Sequence, residues 1–224
     1  MAPPLPSDPG LAAFGSSLTA ITLAELGDKT FFMALILAVR HSARLVFAGA
    51  FAALAAVTLL SLGVGYGLRE LLPQSLVPWI AAVLFLGFGV KLLVDAQALD
   101  AGAAQEEAQE AEEAVNAAER GHGQAGPWAV IWEAFALVFV AELGDRTQFA
   151  TILLATAPAQ VFSFAGLLAG TLAGHALVTW LAVGAGKWIG GRVNEQLLYR
   201  LSGGLFVAFG LVSLVQALAS VPGR

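Results

Sequence analysis

Cysteine is absent from this chain of 224 residues. Its absence excludes disulfide bonds, thiolate metal sites and cysteine nucleophiles. Charge is scarce as well, because only 12% of the residues are charged whereas 58% are hydrophobic, and the mean hydropathy is +0.79. A water-soluble domain of this length would need far more charge to cover its surface. The composition therefore predicts an integral membrane protein.

Basic residues are also missing before the first apolar run, which begins at Leu11 after the segment MAPPLPSDPG. A secretory signal peptide normally carries positive charge there, so we expect no cleaved signal peptide and a retained first helix. The net charge of −5 comes mostly from one internal segment. The composition gives no indication of a nucleic acid partner. It predicts that the protein lies in a lipid bilayer.

Six apolar runs have about the 20 residues that a helix needs to cross a bilayer. They lie at 11–39, 45–68, 76–97, 127–156, 161–188 and 198–219. The segment 100–126, between the third and fourth runs, holds seven of the sixteen acidic residues and only Val115 as a large apolar side chain. It predicts a solvated acidic linker, partly helical because of its Ala and Glu, for which a tether and a low-affinity cation-collecting role both stay open.

One motif occurs twice, as AELGDKT at 24–30 and as AELGDRT at 141–147. The two copies are 117 positions apart, and the same offset matches Phe-Ala-Gly at 47–49 with Phe-Ala-Gly at 164–166. The chain is thus two halves of three spans each. Because three is odd, the second half enters the membrane upside down relative to the first. Inverted repeats of this kind are typical of secondary transporters, whose substrate sites lie near the midplane where the repeats meet.

The fold class predicted is an all-α integral membrane protein with six transmembrane helices in two inverted three-helix repeats. Its divisions are an N-terminal tail (1–10), the first repeat (11–99), the acidic linker (100–126), the second repeat (127–219) and a C-terminal tail (220–224). Seven basic residues fall on one side of the alternating spans and two on the other. The side richer in Lys and Arg faces the cytoplasm, so the linker is predicted to be cytoplasmic and both termini outside.

Each motif places ionisable groups at the middle of its span, where each costs roughly 2.5–3.5 kcal/mol. On a helix, the Glu and Asp of one motif share a face, with the basic residue on the same side. Inversion brings the two faces together, and the residues that then converge are Glu25, Asp28, Lys29, Glu142, Asp145 and Arg146. Four acids and two bases leave a charge that one divalent cation would neutralise. A cluster of salt bridges that joins two helices is the alternative.

Other polar residues near the motifs keep more than one interpretation. Thr30 lies about 140° around a regular helix from Glu25, so it joins the cluster only if the helix breaks near Gly27. For Thr30 and Thr147, ion ligation and a bond to the backbone are both open. Gln148 would add a neutral oxygen to the cation site. Glu133 either marks an entry route for the ion or is a membrane-interface residue without a role in ion binding. His175 is either a packing residue or an ion ligand.

The doubled motif, ELGDKTFF in one half and ELGDRTQ in the other, resembles that of the Gdt-type cation exchanger family. This family was formerly filed as uncharacterised and includes Golgi, chloroplast and bacterial manganese and calcium transporters. The resemblance covers 11–219, and no motif position departs from the pattern. It implies transport of Mn²⁺ or Ca²⁺ in exchange for protons, with Glu25, Asp28, Glu142 and Asp145 as the acidic motif residues. A short N-terminus without a targeting extension indicates a bacterial inner membrane.

The residue types agree with this resemblance. Carboxylate and amide oxygens suit Mn²⁺, Ca²⁺ or Mg²⁺, whereas the lack of cysteine argues against Zn²⁺ and Cu⁺. Metal and protons would compete for the same clustered carboxylates. We expect no prosthetic group, with the transported cation as the occupant of the site, and no enzyme activity, since no nucleophile–base pair accompanies the acids.

Two other functions stay open at the level of sequence. One is an exporter of another cationic solute, such as a basic amino acid, and the other is a membrane assembly subunit that transports nothing. The sequence also leaves open the choice between Mn²⁺ and Ca²⁺, the counter-ion (H⁺ or Na⁺), the stoichiometry and the direction of transport. The oligomeric state is open as well, with a homo-oligomer as one alternative.

Overall fold

The computed structural model describes residues 8–98, 103–119, 126–156, 163–185 and 195–220. Within these ranges the backbone forms helices and the short turns between them, with no strand, so the all-α prediction is confirmed there. The helices are α1 (Pro9–Glu25), α2 (Lys29–Arg40), α3 (Ala43–Leu71), α4 (Val77–Ala98), α5 (Ala103–Glu119), α6 (Pro127–Glu142), α7 (Arg146–Thr156), α8 (Phe164–Ala185) and α9 (Glu195–Ala219).

Four of these helices, α3, α4, α8 and α9, are long and apolar enough to cross a membrane. A fifth span results if α6 and α7 are counted together, although they are bent by 70° at the break between them. The first predicted span is also interrupted, since α1 has 17 residues and α2 only 12. Of the two alternatives left open at Thr30, the structure therefore contains the break near Gly27, and the count of six spans stays a prediction.

Packing between the two halves is reciprocal. Helix α3 packs against α6 and α7, whereas α8 packs against α1 and α2. Helices α4 and α9, the last of each half, pack against each other, and α3 also contacts α8. The backbones approach closely at glycines: a Cβ atom at Gly49 of α3 would overlap the carbonyl oxygen of Ile131, and one at Gly166 of α8 would overlap that of Gly10. Such small-residue contacts are typical of helix packing in membranes.

The acidic segment does not behave as a solvated tether along its whole length. Helix α5 packs mainly on α2, and its Ala111 and Val115 are fully buried in the same core as Met33 and Leu37 of α2. Ion pairs join the middle and the C-terminal end of α5 to α2, because Glu110 binds Lys29 at 2.8 Å and Glu119 binds Arg40 at 2.6 Å. The linker thus contributes a docked amphipathic helix, which the sequence alone did not predict.

Several predictions fall on residues outside the described ranges. These are most of the two tails (1–10 and 220–224), parts of the linker, and four of the nine basic residues behind the predicted orientation, Arg120, Lys187, Arg192 and Arg224. The boundaries of the predicted domains stay predictions.

Candidate functional site

Each motif forms a break between two helices. Helix α1 ends at Glu25 and α2 begins at Lys29, whereas α6 ends at Glu142 and α7 begins at Arg146. The turn in each break contains a glycine with positive φ, 80° at Gly27 and 89° at Gly144. Residues with a Cβ atom rarely adopt this conformation, so the glycine of the motif is what lets the chain turn there.

The two breaks bring the four acidic motif residues together. One carboxylate oxygen from each of Glu25, Asp28, Glu142 and Asp145 lies within 4.8 Å of the others. The two Glu side chains are almost completely buried, with 2% exposure each, and the two Asp side chains are partly buried. Each Glu is the last residue of one helix, and each Asp directly precedes the next helix. The acids are therefore positioned by helix ends and not by one continuous helix face.

Both glutamates have an oxygen without a partner. Oε1 of Glu25 and Oε1 of Glu142 are buried, and neither has a hydrogen-bond partner among the described residues. Buried polar atoms in proteins nearly always have such a partner, and isolated buried carboxylates are costly. Two unpaired oxygens in a cluster of four carboxylates therefore present the acceptor atoms that a hard divalent cation prefers.

The break also brings the motif threonines to the acids. Thr30 Oγ1 lies 3.4 Å from Oε2 of Glu25, and Thr147 Oγ1 donates to Oδ2 of Asp145 at 3.0 Å. The break thus places each threonine hydroxyl beside a carboxylate of its own motif.

The two basic motif residues have different partners. Arg146 donates to Oδ1 of Asp28 at 2.6 Å and to the carbonyl oxygen of Ala24 at 3.4 Å, so it belongs to the cluster. Lys29 instead binds Glu110 of α5. The sequence predicts Lys29 beside the four acids, whereas in the structure its ammonium group pairs with Glu110. Among the residues that the structure describes, the cluster keeps one basic neighbour within bonding distance, Arg146, which leaves it more negative than the sequence predicted.

A second acid of α5 also approaches the site. Burial raises the pKa of Glu107, while Arg146 acts in the opposite direction and Glu110 adds to the increase. Glu107 thus lies within the electrostatic range of the arginine that binds Asp28. Sequence reasoning did not single out Glu107 or Glu110, because no local pattern shows which linker residues face the motifs.

Three further residues from the sequence analysis lie around the cluster rather than in it. Oε1 of Gln148 accepts a hydrogen bond from the backbone N–H of Gly144 at 2.7 Å, and the side chain lines a cavity next to Glu142. His175 is buried, and its Nδ1 has no partner among the described residues. Glu133 lies in a groove between α2, α5 and α6 that also reaches Lys29.

Comparison with known proteins finds matches that cover most of this chain. The family model described as the divalent cation/proton antiporter GDT1 matches residues 13–100 and 130–221. The gap between the two matched blocks contains most of the acidic linker. No solved structure matches the chain.

Individual relatives cover most of this chain. A GDT1-like protein of Synechocystis sp. is 42% identical over 210 residues, which are 91% of this chain and 97% of the relative. The chloroplast protein PAM71 of Arabidopsis thaliana is 41% identical over 92% of this chain and 57% of its own length. GDT1-like protein 1 of Oryza sativa subsp. indica, also chloroplastic, is 37% identical over 92% of this chain and 63% of its own length. The chain thus spans less than two thirds of these two chloroplast relatives.

Proposed function

The chain belongs to the GDT1 family of divalent cation/proton antiporters, and from this membership we propose that it exchanges Mn²⁺ or Ca²⁺ for protons. The proposed cation site consists of Glu25, Asp28, Glu142 and Asp145. The observation that carries the proposal is the pair of buried glutamate oxygens without partners, set among four carboxylates within 4.8 Å of one another. Oxygen-only ligands of this kind suit both cations.

Neutral groups would complete the coordination. The hydroxyls of Thr30 and Thr147 lie beside the acids, and Gln148 contributes an amide next to Glu142. Arg146 offsets one of the four negative charges through Asp28. When all four acids are ionised, a divalent cation in this site would therefore face three uncompensated negative charges. A proton retained on one of the acids would bring the net charge of the occupied site close to zero.

Exchange follows from competition for the same oxygens. A carboxylate must lose its proton to bind a metal ion, so metal binding releases protons and protons release the metal. A carrier that exposes the site to one side of the membrane at a time would then couple the two flows. The inverted six-span arrangement supplies such a carrier, because the site lies between two halves that can rock against each other. The reciprocal packing of α3 on α6 and α7, and of α8 on α1 and α2, supports this arrangement.

We place the protein in a bacterial inner membrane, with the acidic linker in the cytoplasm and both termini outside. The excess of Lys and Arg on the linker side of the spans supports this orientation.

Transport by the purified protein in liposomes tests the proposal. Mn²⁺, Ca²⁺, Mg²⁺, lysine and arginine are compared under an imposed pH gradient, with proton flux recorded in parallel. We expect Mn²⁺ or Ca²⁺ to move against the proton flux. Movement of the amino acids without metal would favour the alternative exporter, and transport of none of these solutes would favour an assembly subunit.

Two charge-removing substitutions test the site itself. Glu142→Gln and Asp28→Asn keep the volume of each side chain but remove one charge, so we expect both variants to insert and fold yet lose metal transport. The matched control is Glu70→Gln, at an exposed position near the end of α3. If either cluster variant transports metal at the wild-type rate, that carboxylate is not a ligand.

A binding experiment tests the coupling to protons. Addition of Mn²⁺ to the detergent-solubilised protein in weak buffer should release acid, and apparent metal affinity should weaken as the pH falls from about 8 to about 6. Both effects should disappear in Glu142→Gln. Metal affinity that does not depend on pH, without acid release, would contradict proton exchange.

A further inference from the structure

Two narrow cavities flank the four-carboxylate cluster, each wide enough for about a single water molecule. One ends at Glu25 and is called the Glu25 cavity; the other ends at Glu142 and is called the Glu142 cavity. His175 and Leu54 line both, so the two cavities share one wall. They lie on either side of the proposed cation site.

The cavities point to opposite ends of the helix bundle. Glu119 of α5 bonds to Arg40 and His41, so the corner between α2 and α3 lies on the side of α5. Along α3, Ala50 is nearer that corner and lines the Glu25 cavity, whereas Ser61 is farther from it and lines the Glu142 cavity. The Glu25 cavity thus extends toward α5, and the Glu142 cavity extends away from it.

The repeat relates the two cavity walls position by position. At the offset of 117 residues, each of six wall residues of one cavity has its counterpart in the wall of the other. The pairs are Glu25 with Glu142, Thr30 with Thr147, Phe31 with Gln148, Ala34 with Thr151, Val178 with Ser61, and His175 with Thr58. The two cavities are therefore equivalent parts of the repeated unit.

Their chemistry nevertheless differs. Three positions that are apolar in the Glu25 cavity (Phe31, Ala34 and Val178) carry an amide or a hydroxyl in the Glu142 cavity. The Glu25 cavity has one additional hydroxyl, that of Thr179, besides the motif threonine. Only the cavity that leads away from α5 thus has a wall formed mainly of neutral oxygen groups.

The hydroxyl groups of this wall present oxygen lone pairs. Thr58 donates its hydroxyl hydrogen to the carbonyl oxygen of Leu54 at 2.8 Å, and Ser61 donates to that of Val57 at 2.7 Å. Since each hydroxyl has a single hydrogen, the hydroxyl oxygens are left as acceptors toward the cavity. Glu142, whose Oε1 has no hydrogen-bond partner among the described residues, lines the same cavity. An acceptor-rich wall of this kind suits a hard divalent cation.

We propose that the Glu142 cavity is a second cation position, where the divalent ion binds neutral oxygens as it passes between the carboxylate cluster and the membrane face remote from α5. The proposal rests on the proposed function, because it assumes that the four carboxylates bind the transported ion. The Glu25 cavity lacks this wall, and Phe31 forms an apolar barrier there instead.

Hydroxyl-deleting substitutions test the second position by transport kinetics. In oriented proteoliposomes, Thr151→Val and Ser61→Ala should each raise the KM for Mn²⁺ about fivefold when the ion enters from the face remote from α5, since each removes one oxygen contact. The KM for entry from the other face should stay at the wild-type value. The matched control is Thr156→Val, also buried on α7, whose hydroxyl bonds to the carbonyl oxygen of Leu153 outside this cavity.

The outcomes separate this proposal from the proposed function. If Glu142→Gln abolishes transport while Thr151→Val and Ser61→Ala keep the wild-type KM on both faces, the second position is refuted and the carboxylate site stands. If Glu142→Gln and Asp28→Asn transport normally, the proposed function itself fails. A KM increase of the same size in Thr156→Val would show a general packing effect and would also refute the second position.

A thiol trap provides a second, independent measurement. Because the chain has no cysteine, Ser61→Cys places a single soft ligand in the Glu142 cavity, and Val178→Cys places one at the equivalent point of the Glu25 cavity. Cd²⁺ binds thiolates tightly, so an ion that stops beside Ser61 would be held there. We expect Mn²⁺ transport by Ser61→Cys to be lost at Cd²⁺ concentrations that leave Val178→Cys and the wild type active. Equal Cd²⁺ sensitivity of the two variants would overturn the proposal.

Discussion

At the scale of single residues, the two basic motif positions are alike in sequence but not in structure. Arg146 binds Asp28 within the cluster, with both side chains largely buried, whereas Lys29 binds Glu110 of α5 in a pair that is partly open to solvent. Breaking a buried ion pair leaves an uncompensated charge and is strongly destabilising, whereas exposed pairs contribute only about 0–1 kcal/mol. The two positions should therefore respond differently to the same substitution.

We predict that Arg146→Gln lowers the melting temperature of the metal-free protein far more than Lys29→Gln does. The reason is that Asp28 and its three acidic neighbours lose their bonded cation. Mn²⁺ should restore more stability to Arg146→Gln than to the wild type, because the metal then neutralises charge that the arginine had offset. Thermal unfolding of both variants with and without Mn²⁺ measures this. Equal destabilisation by the two substitutions would contradict the assignment of Arg146 to the cluster.

At the scale of helices, close backbone contact joins the two halves. At Gly170 of α8, an added Cβ atom would overlap the carbonyl oxygen of Phe14 and the hydroxyl of Ser17 on α1. Backbone cannot move aside as a flexible side chain can, so the helices would have to separate. At Gly184, on the same helix, an added Cβ atom meets nothing within 4 Å.

Gly170→Ala should therefore destabilise the protein by about 1–3 kcal/mol, the usual cost of overpacking a close contact. Gly184→Ala should be neutral or slightly stabilising, because alanine favours helix over glycine. Denaturant-induced unfolding in detergent compares the two. A Gly170→Ala variant as stable as Gly184→Ala would show that α1 and α8 are farther apart than described.

The docking of α5 depends on pH through Glu119. Burial acts to raise the pKa of Glu119, but hydrogen bonds from Arg40 and His41 outweigh it and lower the pKa below its ordinary value of 4.5. A carboxylate with a lowered pKa in the folded state contributes stability above its unfolded-state pKa. That contribution is lost as the pH falls through the folded-state pKa. The contact should thus be complete at neutral pH and weaken only below pH 4.5.

Hydrogen exchange over residues 103–119 measures this contact. We expect protection of α5 to stay constant from neutral pH down to 4.5 and then to decline, after correction for the intrinsic exchange rate. Arg40→Gln should lower the protection already at neutral pH, since it removes the main partner of Glu119. Unchanged protection in Arg40→Gln would mean that the pairing of Arg40 with Glu119 does not contribute to the docking of α5.

At the scale of the whole molecule, the sequence predicted the clustering of the acidic residues, because that clustering follows from the internal repeat. The offset of 117 residues brought Glu25, Asp28, Glu142 and Asp145 into one predicted cluster, and the structure brings the same four together. The helix breaks were harder to predict, because a glycine within a membrane helix serves close packing as often as a turn. In the first motif, the positive φ of Gly27 shows that this glycine forms a turn.

Docking of α5 could not be predicted for a different reason. Val115 is a single apolar residue in an acidic segment, and its burial depends on where α2 places Met33 and Leu37. The pairing of Glu110 and Glu119 with basic residues 81 and 79 positions away has no local signal either. By contrast, the difference between the two cavities is visible in the sequence once the repeat is aligned, since Phe31 stands where the second half has Gln148.

The last prediction concerns how the whole molecule lies in the membrane. Ser42 is exposed between α2 and α3, on the side of α5, and Ser75 is exposed in the turn before α4, at the opposite end of α3. The excess of Lys and Arg predicts that the side of α5 is cytoplasmic. Because the chain lacks cysteine, Ser42→Cys and Ser75→Cys each introduce one thiol with almost no change in size. In intact cells, a membrane-impermeant maleimide should label Ser75→Cys directly and Ser42→Cys only after permeabilisation. The reverse pattern would invert the orientation, and labelling of both in intact cells would show that α3 does not cross the membrane.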